Sequence, residues 1–112
     1  MANVFTNSLK SSIGTTSTVI YTSPSANVST VIGLSLSNRT ASNTITVSAA
    51  VLDSSNSNNV VYIVNNSTVP IGGTLVVVGG DQKLILKAND SVQITSSANN
   101  SVDAILSVLQ MY

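Results

Sequence analysis

The chain has 112 residues, no cysteine, no histidine, and four acidic and four basic residues that cancel to zero net charge. This excludes a disulfide framework, a thiolate metal site, and any histidine-based general base or catalytic triad. The bases stand apart at Lys10, Arg39, Lys83 and Lys87, so no basic patch exists for nucleic acid.

The size suits one domain with one core. Charged residues make up 7%, against roughly 25% in ordinary soluble domains. Ser, Thr and Asn supply 45 residues, so the surface is a carpet of hydroxyls and amides. A protein with so little charge tends to self-associate, which favours a subunit covered by neighbours over a solitary one. The opening MANVFTNSLKSSIG lacks the apolar segment of a secretory signal, and no apolar run is long enough to span a membrane as a helix.

Residues 1–15 show no clean period and read as an N-terminal arm that could end in a short strand, with Phe5 as a lid on the core or an anchor on a neighbouring subunit. Residues 16–23 (TSTVIYTS) are β-branched and read as a strand, stopped by Pro24. Residues 30–38 alternate, with Ile32, Leu34 and Leu36 on one face. A polar loop follows, and residues 44–53 alternate again, with Ile45, Val47, Ala49 and Val51 together. Residues 53–59 (DSSNSNN) read as an exposed tip. Val60, Val61, Tyr62, Ile63 and Val64 are apolar on both faces, which suits a central strand or an interface. Residues 65–67 (NNS) then read as a turn.

The stretch from Pro70 to Leu109 sets the frame. It predicts strands at 74–78, 83–87, 92–96 and 103–111, separated by turns at Gly79-Gly80-Asp81, Asn89-Asp90 and Asn99-Asn100. The last strand is apolar on both faces and is expected to be covered on both sides. Recurrence at this spacing predicts an all-β fold: an antiparallel β-sandwich or a jelly-roll-like small barrel of seven to eight strands over residues 16–112. Its 25 Ile and Val residues suffice for a core, since each buried side chain contributes roughly 1.5 to 3 kcal/mol.

Asp53, Asp81, Asp90 and Asp103 lie in or beside different turns or in the last strand, each with an ordinary structural role, so paired-carboxylate hydrolysis is disfavoured. The Asp53 loop offers one carboxylate with many amides and hydroxyls, and reads as a solvated loop rather than a calcium site. The six Asn-x-Ser/Thr sequons are expected by chance in such a composition. Sugar platforms usually present aromatic rings, and only Tyr21, Tyr62 and Tyr112 could serve.

Three blocks carry a family resemblance: TTSTVIYTSPSANVSTVIGLSLSN, PIGGTLVVVGGDQKLILKANDSVQITSS and SVDAILSVLQ. Together they resemble small virion structural proteins of tailed bacteriophages, of the marine and cyanobacterial phage type. Such proteins usually carry Gly-Asp before the penultimate strand, where this chain has Asn89-Asp90. The resemblance implies a particle component located in the virion and carries over no functional residues.

The expectation is therefore a non-enzymatic virion protein, a capsid decoration or cement protein bound in many copies to other virion proteins. It is expected to form a homo-oligomer, with a trimer favoured, and to need no cofactor, metal, nucleic acid or membrane. The alternatives are a neck, tail or baseplate accessory, or a glycan- or receptor-binding module at the tail. Candidate interface residues are Phe5, the run Val60, Val61, Tyr62, Ile63 and Val64, and the run Leu75, Val76, Val77 and Val78, because two-faced apolar strands and open edges want partners.

Overall fold

Two antiparallel sheets face one another in the computed structural model, which describes residues 3–111. Tyr112 lies outside the described residues. Nine strands follow in order: β1 (Val4–Ile13), β2 (Thr18–Thr22), β3 (Val28–Asn38), β4 (Ile45–Asp53), β5 (Asn59–Val69), β6 (Thr74–Val78), β7 (Leu84–Leu86), β8 (Ser91–Ser96) and β9 (Val102–Met111). One sheet has the order β1-β9-β3-β6, with β7 also on β3; the other has the order β2-β8-β4-β5. The first strand lies beside the last and the second beside the eighth. This interleaving is a jelly-roll sandwich.

Alternation is the cause of the layering. Inward side chains of β3 and β9 (Val31, Leu34, Leu36, Leu106 and Val108) meet those of β4 and β8 (Ile45, Val47, Ala49, Val92 and Ile94), and all are buried. Strands with one buried face must show period two, and these do.

Three expectations need correction. Ile32 does not join Leu34 and Leu36 in the core. The ladder of β3 with β9 slips by one residue between Val31 and Gly33, so the inward column passes from Ser29 and Val31 to Leu34 and Leu36. A bulge of one residue exchanges faces in this way.

Residues 65–67 do not reverse the chain. Asn66 adopts φ 54 and its N–H donates to Ser48 Oγ at 2.9 Å. Pairing with β4 resumes at Val47 opposite Ser67 and runs on to Ile45 opposite Val69. Asn tolerates the left-handed conformation, so the extra residue is absorbed as a bulge.

Gly79-Gly80-Asp81 does turn the chain, with Gln82 N–H donating to Gly79 O at 3.2 Å, but the strands on either side of it do not pair with each other. β6 pairs with residues 34–37 of β3 and β7 with residues 29–31, both antiparallel. The two short strands therefore lie end to end along one edge of β3, and residues 79–83 make an excursion between them.

Finally, the segment expected as an arm contributes a ten-residue strand. β1 runs along β9 from Val4 opposite Gln110 to Ile13 opposite Val102. Of its side chains only Ile13 is buried. The strand is held by main-chain bonds, so burial imposes no periodicity on it, and the segment looked irregular as sequence.

The tip at 53–59 is pinned rather than loose. Residues 54–56 form one 3-10 turn, capped by Asp53, whose carboxylate accepts from Ser55 N–H at 3.2 Å and Ser55 Oγ at 2.7 Å. The Asp90 carboxylate accepts from Ser54 N–H at 3.0 Å and from Lys87 N–H at 3.0 Å. Asn38 is buried and ties three segments: its Nδ2 donates to Asn43 O at 2.8 Å and Val69 O at 3.1 Å, and its Oδ1 accepts from Thr40 N–H at 2.9 Å.

Candidate assembly surface

Directly opposed residues of an antiparallel ladder project from the same face of the sheet. Following the register across the five-stranded sheet therefore gives the composition of its outer face. One row runs Leu9, Ile105, Ser35, Val76 across β1, β9, β3 and β6. Another runs Phe5, Leu109, Thr30, Ile85 across β1, β9, β3 and β7. Between them lies Asn7, Ser107, Gly33.

The two flanking rows carry large, exposed aliphatic and aromatic side chains: Phe5 is 74% exposed, Leu9 65%, Val76 63%, Ile85 56% and Ile105 53%. The middle row has only small or polar side chains, and Gly33 has none. Four residues separate Ile105 from Leu109, so the rows stand about 14 Å apart. The result is two apolar ridges with a trough between them. At the β1 end the trough forms a depression of about 440 Å³ lined by Phe5, Thr6, Asn7, Ile32 and Ser107.

None of these three rows contains a charged residue. Charge appears one step farther on, where Asp103 stands opposite Ser37 and pairs with Arg39 at 3.1 Å. That pair is exposed and lies beside Ser12, whose N–H donates to Asp103 Oδ1 at 3.0 Å and whose hydroxyl accepts from Arg39 Nη1. It closes the end of the β1–β9 ladder without entering the apolar rows.

The predicted interface residues divide. Phe5 and Val76 lie on this outer face. Val60, Val61 and Tyr62 are exposed on β5, which is the edge of the four-stranded sheet and not a central strand. Ile63, Val64 and Leu75 are half-buried against the core. Val77 and Val78 are core residues, 7% and 1% exposed, and cannot touch a partner. The reason is a register slip between Leu34 and Ser35, which places both of them inward.

Sequence reasoning missed Leu9, Ile105, Leu109 and Ile85. Their signal was present in β9, where Ile105 and Leu109 alternate with Ala104, Leu106 and Val108. In a two-layer fold the core covers only one face of such a strand. No layer of the described residues lies over the other face of β9.

Elsewhere the chemistry is sparse. A groove of about 340 Å³ near the 53–59 turn includes Asp53, Asp90 and Lys87, but both carboxylates are engaged in the local hydrogen bonds given above. Among the described residues no three His, Cys, Asp or Glu side chains gather as a metal site. Tyr21 points inward, with its hydroxyl bonded to Ser29 Oγ at 2.9 Å and to Gln110 Nε2 at 2.8 Å. No helix among the described residues is long and apolar enough to cross a membrane.

No family model matches the chain, and no curated protein matches it. Solved structures do share its fold. It is similar to a chain of the Bacillus endospore appendages, a family of disulfide-linked pili, with TM-score 0.54 and 16% identity over 96% of this chain and 86% of that one. It is also similar to a chain of the T13 IBDV viral particle, with TM-score 0.57 and 9% identity over 98% of this chain and 31% of that one. This chain thus spans about a third of the viral chain's length. At these identities the likeness is one of fold.

Proposed function

We propose that the chain is a non-enzymatic structural component of a bacteriophage virion, a decoration or cement protein bound in many copies to the particle. One observation carries the reading: the outer face of the five-stranded sheet is uncharged, ridged with Phe5, Leu9, Val76, Ile85 and Ile105, and open. Large exposed apolar side chains gathered on one uncharged face favour an interaction site there. Fold likeness to a viral particle chain and a pilus chain supports a role in an assembly. The virion is better supported than a disulfide-linked pilus, because this chain has no cysteine to form such links. The phage assignment rests on the resemblance of the three sequence blocks.

A neck, tail or baseplate position uses the same surface logic and differs only in copy number. A glycan-binding module is less supported, since Tyr21 is turned inward and Tyr62 stands without a second exposed tyrosine among the described residues. Mass spectrometry of density-purified phage particles tests the proposal. The expected result is many copies per particle, and abundance in the lysate with absence from the particles would sink it.

A further inference from the structure

We propose that the ridged face of the five-stranded sheet is closed by a second copy of this chain, across a two-fold axis, with Phe5 of each copy seated in the depression of the other. The inference rests on reading this face as an assembly surface and adds what occupies it. The argument is geometric. Consider a two-fold axis lying in the plane of the interface, parallel to the rows and midway between the Phe5 row and the Asn7 row. Such a rotation lays the Phe5 row of one copy on the Asn7 row of the other, and the reverse.

Ridge then enters trough at both contacts. Phe5, the most exposed large apolar side chain among the described residues, lands on the depression lined by Asn7, Ile32 and Ser107. The same rotation brings Met111 onto Ile105 and Val28 onto Ser35. Facing sheets of a sandwich keep their strands nearly aligned, and this rotation does so.

Electrostatics and area agree with the same occupant. The ladder-paired residues of the Phe5, Asn7 and Leu9 rows carry no charge, so along them a copy of the face meets no like charge when turned on itself. Eight residues along β3 by four strands across give a footprint of roughly 27 by 19 Å, about 500 Å² per copy and about 1,000 Å² in all. That is near the threshold of roughly 1,000 Å² above which an interface is specific.

Sedimentation equilibrium of the purified chain, with and without Phe5→Ser, tests this. The wild type is expected to dimerise, and Phe5→Ser to raise the dimer dissociation constant by about 10-fold or more, as loss of an aromatic anchor does. Phe5 is largely exposed, so circular dichroism and the thermal midpoint of the diluted monomer should not move. Because the chain lacks cysteine, mixing Phe5→Cys with Asn7→Cys protein under oxidation should give the mixed disulfide in preference to either homodimer. A wild-type chain that stays monomeric, a dimer indifferent to Phe5→Ser, or no preference for the mixed disulfide would overturn the inference. A monomer that still coats particles would refute only the two-fold contact; a monomer absent from particles would remove the assembly reading as well.

Discussion

Leu9 of β1 stands directly opposite Ile105 of β9, and both are more than half exposed on the outer face of the sheet. They are 96 residues apart in sequence, yet they form one side of the apolar ridge. Replacing either by Ser should leave folding stability within about 0.5 kcal/mol, as for exposed sites away from special features. The double variant should cost less than the sum of the two single losses, by a coupling of about 0.2–0.5 kcal/mol. Association with particles, measured by co-sedimentation, should fall for each. Undiminished association would remove Leu9 and Ile105 from the assembly surface.

Val76 and Val78 separate surface from core within one apolar run. Val76→Asp should fold with a loss of about 0.5–1 kcal/mol or less. Val78→Asp should unfold the domain or cost more than about 3 kcal/mol, because an unpaired carboxylate would be buried. Urea titration followed by circular dichroism discriminates the two, and equal tolerance would contradict the register slip beside Ser35.

Asp90 clasps two loops by accepting from Lys87 N–H and Ser54 N–H. Removing the carboxylate in Asp90→Ala should cost about 1–3 kcal/mol, since buried donors lose their partner. Hydrogen exchange should quicken at Ser54 and Lys87 while the β3–β9 ladder keeps its protection. Unchanged exchange at both amides would show that the clasp is dispensable.

Asn38 is the most connected polar side chain among the described residues. Asn38→Ala should destabilise by roughly 1–3 kcal/mol, leaving the Val69 carbonyl and the Thr40 amide short of a partner. Its burial also removes the Asn38 sequon from consideration as a glycan acceptor on the folded chain. Denaturant unfolding of the variant checks the first statement; a midpoint equal to wild type would refute it.

Legibility in the sequence followed burial. β3, β4, β8 and β9 each bury one face, and burial is what writes alternation into a sequence. β1 buries almost nothing, so its ladder left no mark and residues 1–15 read as an arm. Bulges at Ile32 and Asn66 add one residue without altering composition; they were invisible, and each misplaced a face or a turn. Apolar runs located Val76 and the β5 edge, but a run cannot say which of its members point inward, hence Val77 and Val78. The apolar rows themselves exist only through register between distant strands, which no local window contains.

The break between β6 and β7 makes the jelly roll a natural host for grafted sequence. Each half-strand has its own ladder to β3, so lengthening the excursion at residues 79–83 disturbs neither register. Gly80 sits at φ 62 with nothing near its missing Cβ, which leaves open space at the graft point. Doubling that loop would cost only about 0.6 kcal/mol in closure entropy. A peptide inserted between Gly80 and Asp81 would therefore be displayed at the rim of the sheet, repeated once per subunit wherever the chain assembles.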